Sequence, residues 1–281
     1  MGAVDPMRSD RKGQRNVSPA VVTGCIAVSL AVVASFFHGG LSVLVLIFFI
    51  LFCFVASFFP TWGFFLPVDS RGHTGRPIVA LTFDDGPDPT TTPLLLQLLK
   101  QHDVRAVFFV IGEKAVKYGD LIVAILEHGH DIGNHSFSHD PFLMLRSEKT
   151  LYREIESAQA VLIRFGICPL AFRPPVGITN PRLYSVLSQQ GLSCVTFSCR
   201  ANDFGNRFIQ GLSERILAKV KPNDILLLHD VRPKGAMDTE GFLREIDLIL
   251  CGLKNKELQI VPLAELLEKP VMARSVSEDR V

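Results

Sequence analysis

The chain is short of several things that define large classes of protein. Its formal net charge is only +1, and no long run of one sign breaks the balance, so the electrostatic footprint of a nucleic-acid binder is missing. Among 281 residues there are six cysteines, without a Cys-x-x-Cys pair or the spacing of a disulfide framework. That excludes a zinc ribbon and a small disulfide-stapled scaffold. Internal repeats and low-complexity tracts are absent, which excludes solenoids. The most telling absence is local: between Ala20 and Leu66 there is no Asp, Glu, Lys or Arg.

That uncharged stretch carries the excess in the chain's hydrophobic content of 48%. It divides into 20–37 and 41–59, interrupted by His38-Gly39-Gly40. Each piece is about long enough to cross a ~30 Å hydrocarbon core as a helix. Pro60, Trp62 and Gly63 close the second piece, with Trp62 suited to headgroup depth. A signal peptide has an apolar region of only ~7–15 residues and a cleavage site, and neither fits here. The reading is a basic tail at 1–19 and a transmembrane segment at 20–66, drawn as a two-helix hairpin. One long anchor with an interfacial helix is the alternative.

Arg8, Arg11, Lys12 and Arg15 outweigh Asp5 and Asp10, which keeps the N-terminus cytoplasmic. A hairpin then returns the chain and leaves the rest on the cytoplasmic side; a single span leaves it outside. Arg71 and Arg76 agree with the hairpin, as do unpaired Cys168, Cys194, Cys199 and Cys251, which suit a reducing compartment. The expectation is an integral protein of the plasma or inner membrane, with lipid as one partner and no nucleic acid.

Beyond a linker at 67–76, short apolar runs alternate with amphipathic stretches. Strands are predicted at 78–83, 106–111, 131–134, 170–173, 193–197, 225–229 and 259–261. Helices are predicted at 92–101, 114–128, 147–165, 180–190, 208–220 and 239–256. This alternation implies βα units and a mainly parallel sheet, with enough units to close into a barrel. In such an α/β architecture chemistry gathers at the C-terminal ends of the strands. A disordered tail is expected at 268–281.

The polar residues fall at those ends. Thr82-Phe83-Asp84-Asp85-Gly86-Pro87 reads as a buried strand ending in adjacent carboxylates before a Gly-Pro turn. Adjacent acids repel unless a metal ion or a shared proton relieves them. His135 and His139, four apart, share a face if a helical turn begins there, and can present two imidazoles to one ion. Two His and one Asp leave coordination positions open, as a catalytic site needs. In Arg173-Pro174-Pro175-Val176-Gly177 the prolines hold the arginine near a strand end, where it can orient Asp84; an ordinary rim salt bridge is the plainer alternative. Asp203, in a later loop, is a partner for Arg173. His229 directly follows an apolar strand and suits a general acid. Asp230 beside it serves as orienter or as helix cap.

Taken together these residues resemble the polysaccharide deacetylases, the NodB-homology domain of carbohydrate esterase family 4. The resemblance covers 77–267 and rests on Thr-Phe-Asp-Asp-Gly at 82–86, His-Ser-Phe-Ser-His at 135–139, Arg-Pro-Pro-Val-Gly at 173–177 and Leu-Leu-Leu-His at 226–229. It implies a distorted (β/α)7–8 barrel following the transmembrane segment. It also implies a divalent metal, usually zinc with cobalt or another ion also accepted, on Asp85, His135 and His139. Asp84 is then the base and His229 the acid, with Arg173 orienting Asp84 and Asp203 tethering Arg173. The amide of Val176 serves the oxyanion and Leu227 lines the acyl pocket.

One motif departs. Where the family has Asp-x-x-Asp-Trp, this chain has Arg200-Ala-Asn-Asp203-Phe204, so Phe204 stands in for the pocket tryptophan. Arg200 is suited to a phosphate or acid on the substrate, or simply to solvent. The implied activity is removal of N-acetyl groups from an amino-sugar glycan, releasing acetate. A lipid-linked amino sugar, deacetylated or deformylated at the cytoplasmic face, is the second reading. A non-catalytic carbohydrate-binding module is the third; it calls for a lost ligand, base or acid, and none is lost.

Overall fold

The computed structural model describes residues 17–235 and 237–274. The basic tail expected at 1–19 lies outside the described residues except for its end, and so does 275–281. Two compact units divide the chain, one running to Cys53 and the other starting at Phe54.

In the first unit, helix α1 (Pro19–Ser35) begins with proline at its first turn, where a missing N–H costs nothing. Helix α2 (Gly39–Ser57) follows a break of three residues and lies two residues earlier at each end than the predicted 41–59. Ala27, Ala31 and Ala34 are buried along one face of α1. A side chain at Gly24 would meet the Phe49 ring of α2 at 3.3 Å, so small residues let the two helices approach. The 19 residues of α2 make it long and apolar enough to cross a membrane, while α1 is shorter.

The second unit carries a nine-stranded parallel sheet. Its first strands are β1 (Val68–Asp69) and β2 (Ile78–Asp84), followed by α3 (Thr92–Gln101) and β3 (Val107–Val110). Helices α4 (Gly112–Lys117) and α5 (Gly119–Glu127) lead to β4 (Asp131–Asn134), and α6 (Glu148–Ile163) to β5 (Ile167–Pro169) and β6 (Ala171–Phe172). Then come α7 (Pro181–Gln189), β7 (Ser193–Val195), β8 (Cys199–Arg200), α8 (Leu212–Leu217) and β9 (Ile225–His229). Last are α9 (Thr239–Asn255), β10 (Gln259–Ile260), α10 (Leu263–Leu266) and β11 (Met272–Arg274).

The strand order is β1-β7-β6-β4-β3-β2-β9-β8, with β10 also on β2. Immediately after β1 at one end, Gly72 N donates to Asn223 O at 2.8 Å and Arg71 pairs with Asp224 at 2.6 Å, just before β9 near the other end. Contact between opposite ends of a sheet requires it to curl, and the result is the distorted barrel expected. Strand β2 shows how the two faces are used. Val79, Leu81 and Phe83 enter the core shared with the helices, whereas Ile78 and Ala80 join Val107, Phe109, Ala171 and Val195 inside the barrel. By the strand period of two, Thr82 and Asp84 also point inward.

Several expectations need correction. The predicted helix 114–128 is two helices, because Tyr118 leaves helical geometry between them (φ −127°). The helix predicted at 208–220 shrinks to α8, since Gly211 at φ 66° precedes it. The linker 67–76 contains β1, paired with β7, and Phe64, Phe65 and Leu66 of the presumed membrane segment are buried. The tail at 268–281 is ordered through Arg274: β11 pairs antiparallel with β5 and Val271 is buried. Strands β1, β5 and β11 have only two or three residues each, too few to show a period in sequence.

Candidate active site

Strand register brings the candidate residues together. Asp84 lies beside His229 across β2 and β9, while Asn134 pairs with Phe172 across β4 and β6. His135 and Arg173 each follow directly, so four strand ends deliver Asp84, His135, Arg173 and His229 to one rim. Asp85 would face outward if β2 continued. Its left-handed backbone (φ 69°) turns the chain, and its carboxylate ends 3.1 Å from His139 Nε2.

His135 and His139 do not share a helical turn, contrary to expectation. The loop between them is irregular, with Ser136 and His139 left-handed (φ 66° and 56°). Asn134 Oδ1 accepts from Ser136 N at 2.8 Å, and Ser136 Oγ accepts from His139 N at 3.1 Å, which shapes the loop. The imidazoles still converge, with ring centres 4.9 Å apart.

Arg173 is fully buried, and four of its five N–H donors have partners. Nη1 donates to Asp84 Oδ1 and Thr82 Oγ1, both at 2.7 Å; Nη2 donates to Thr196 O at 2.8 Å and Nε to Val195 O at 3.3 Å. Its guanidinium lies 4.0 Å from the centre of the Phe109 ring. Gly133 permits this, because a Cβ there would sit 2.4 Å from that ring. The rim salt bridge is thus excluded in favour of an interior clamp on Asp84. Asp203 takes no part in it. Its Oδ2 accepts from His229 Nδ1 at 2.6 Å, so the expected tether on Arg173 is instead the orienter of His229. Asp230 has neither role foreseen for it: it is buried and accepts from Thr91 and Thr92 hydroxyls at 2.6 and 2.5 Å, bracing the start of α3.

Electrostatics follow from these contacts. For His229, burial opposes the charged form, but the Asp203 hydrogen bond and charge win and push it up to about 9. Burial likewise works against the Asp85 carboxylate, yet His135 and His139 hold it well below the usual range. For Asp230, burial dominates over its two hydroxyl donors and raises it to about 7. Burial also pushes the thiols of Cys194 and Cys199 up, to about 12 and about 11, so neither is a nucleophile.

Asp85, His135 and His139 offer ligand atoms within 4.8 Å of one another. The donor set fits a divalent ion. His135 Nδ1 must be the donor to the Arg173 carbonyl at 2.7 Å, which leaves Nε2 with its lone pair toward Asp85. The 3.1 and 3.4 Å separations of the two Nε2 atoms from Asp85 Oδ1 match the ~3.3 Å edge of a tetrahedron with ~2.0–2.1 Å bonds. Asp84 Oδ2 stands farther off, 3.9 Å from His135 Nε2.

These residues line a cavity of about 600 Å³. Leu227 and Val176 (φ 52°) line it too, as do Phe204, which is 72% exposed, and Arg200, whose guanidinium is 5.4 Å from the Phe197 ring centre. Sequence reasoning missed four supports. Thr82 was findable, since it shares the inward parity of Asp84. Phe109, Lys114 (Nζ to Asp85 O, 2.7 Å) and Asn206 (Nδ2 to His229 O, 3.0 Å) left no local signal.

A parallel barrel with a carboxylate–two-histidine cluster, a clamped second carboxylate and a carboxylate-bound histidine at its mouth defines a hydrolase-type site. The family profile described as polysaccharide deacetylase matches residues 71–195. A peptidoglycan-N-acetylglucosamine deacetylase of Bacillus cereus is 33% identical over 192 residues, spanning 68% of this chain and 88% of that protein. A chitooligosaccharide deacetylase of Sinorhizobium fredii is 36% identical over 180 residues, 62% of this chain and 82% of that one. The crystal structure of a peptidoglycan N-acetylglucosamine deacetylase superposes with a TM-score of 0.66 at 29% identity, covering 73% of this chain and 94% of the other. The chain belongs to the polysaccharide deacetylase family, carbohydrate esterase family 4.

Proposed function

We propose that this protein is a membrane-anchored, metal-dependent hydrolase that removes N-acetyl groups from an amino-sugar glycan and releases acetate. The observation that carries the reading is the pairing of each polar group with its own support in one cavity: Asp84 with Arg173, His229 with Asp203, and Asp85 with two imidazoles. A divalent ion on Asp85, His135 and His139 would supply Lewis acidity to a water and to the amide carbonyl. Asp84, oriented by Arg173, takes the water's proton. The Val176 N–H serves the developing oxyanion. His229, held by Asp203, protonates the departing amine, while Leu227 and Phe204 wall the acyl group. The α1–α2 hairpin is the anchor, with the catalytic unit toward the cytoplasm; a C-terminal reporter active only on the outer side would overturn that orientation.

Acetate release from N-acetylglucosamine oligomers tests the activity. A chelator should abolish it, and zinc or cobalt should restore it. Release unaffected by a chelator that has stripped the protein of metal would remove the metal from the reading.

The acid assignment gives a pH profile. His229 works when protonated, so kcat/KM should fall as pH rises through about 9, or at lower pH if a bound cation repels the proton. Asp203→Asn removes the largest charge that raises His229, leaving burial, which lowers it, against the weaker pull of Asp85 and Asp84. The basic limb should therefore move down by about one pH unit or more. A limb that stays in place in Asp203→Asn would show that another group titrates there.

A further inference from the structure

The cavity's charges do not cancel. Each of its carboxylates already has a cationic or imidazole partner: Asp84 has Arg173, Asp85 has His135 and His139, and Asp203 has His229. Arg200 and Lys234 also line the cavity, both exposed, and neither forms an ion pair among the described residues. They are placed by the same scaffold. Arg200 ends β8 and opens a loop with left-handed backbone at Asn202, Phe204, Gly205 and Asn206 (φ 55°, 50°, 67° and 60°). Lys234 N donates to the carbonyl of Asn206 at 3.1 Å, and Asn206 Nδ2 is bonded to the carbonyls of His229 and Val231. The Phe197 ring beside the Arg200 guanidinium packs against the interior cluster of the barrel.

A neutral N-acetylated glycan offers these cations hydroxyl acceptors but no charge to balance them. A phosphate supplies that charge: a guanidinium fork grips it in two places and an ammonium adds a point charge. Unpaired cations along a concave, low-dielectric wall also concentrate anions there. We infer that the substrate is an amino sugar bearing a phosphate, with Arg200 and Lys234 holding that phosphate while the N-acetyl group lies over Asp84. The inference rests on the deacetylase reading above and names its substrate class. The bond broken remains the amide; water adds, acetate leaves, and the phosphate ester is untouched. A free sugar phosphate and the phosphate-linked headgroup of a lipid share this chemistry.

The test uses the full metal-loaded chain in lipid nanodiscs. Acetate release is compared for methyl N-acetylglucosaminide, N-acetylglucosamine 1-phosphate and N-acetylglucosaminyl phosphate carried on a polyprenyl chain. At least one phosphate substrate should exceed the methyl glycoside in kcat/KM by about tenfold or more, the scale of one charged hydrogen bond. A preference confined to the polyprenyl substrate identifies the lipid source; one shared by the soluble phosphate identifies the headgroup alone as sufficient. Arg200→Gln with Lys234→Gln should erase the preference, mainly through KM. As a second readout, methyl phosphate should inhibit turnover of N-acetylglucosamine oligomers in the parent protein about tenfold more strongly than in the double variant. Equal rates on phosphate and methyl substrates, or an undiminished preference in the double variant, would overturn the inference. If no substrate, oligomers included, releases acetate, it is the deacetylase reading that fails.

Discussion

Asp84→Asn is expected to lower acetate release by about a hundredfold to ten-thousandfold, the usual worth of a positioned general base, while leaving the metal in place. The asparagine keeps an oxygen to accept from Arg173 Nη1, now at 2.7 Å, so the buried clamp stays satisfied. It cannot take a proton. The candidate metal ligands are other residues, Asp85, His135 and His139, and Asp84 Oδ2 stands 3.9 Å from His135 Nε2. Metal content by mass spectrometry and turnover should therefore separate cleanly. A variant that holds metal and turns over at nearly the parent rate would sink the assignment of Asp84 as base.

Arg173→Ala should destabilise the catalytic unit by about 3–5 kcal/mol, because it leaves Asp84 as a buried charge without its cation. Asp84 is 4% exposed and Arg173 1% exposed, so solvent does little to screen the loss. The same change strands the carbonyls of Val195 and Thr196 and opens a cavity against Phe109. For a unit of this size the shift corresponds to a melting temperature lower by about 10 °C. Arg173→Lys keeps the charge but not the fork, and should recover part of the stability with little of the turnover. Thermal unfolding of the three proteins checks this. A melting point in Arg173→Ala within a degree or two of the parent would mean the clamp contributes little.

Much of the site was legible because the strand ends are local events. An apolar run followed by polar residues marks 78–85, 170–173 and 225–229, which supply Asp84, Arg173 and His229, while His135 follows a short strand that the alternation of elements placed at 131–134. The partners of these residues were less legible. Asp203 was assigned to Arg173, yet it binds His229, because which of two cations a loop carboxylate meets depends on where β8 and β9 lie in the curled sheet. His139 was placed by a helical turn that does not form; a loop with two left-handed residues delivers its imidazole to the same spot. Strands of two or three residues, such as β1 and β11, left no periodic signal at all.

The sequence by itself therefore determined the kinds of chemistry available: two carboxylates after an inward-facing strand, two histidines four apart, an arginine locked by prolines and a histidine at a strand end. It also determined that an uncharged segment precedes them, since composition needs no fold to be read. Only the tertiary structure decided who pairs with whom. Asp84 belongs to Arg173, His229 to Asp203, and Asp230 to the start of α3, because each pairing spans from 26 to 139 residues and exists only once the sheet has curled. The same curl leaves Arg200 and Lys234 at the rim without a carboxylate, a surplus of charge that no linear reading displays.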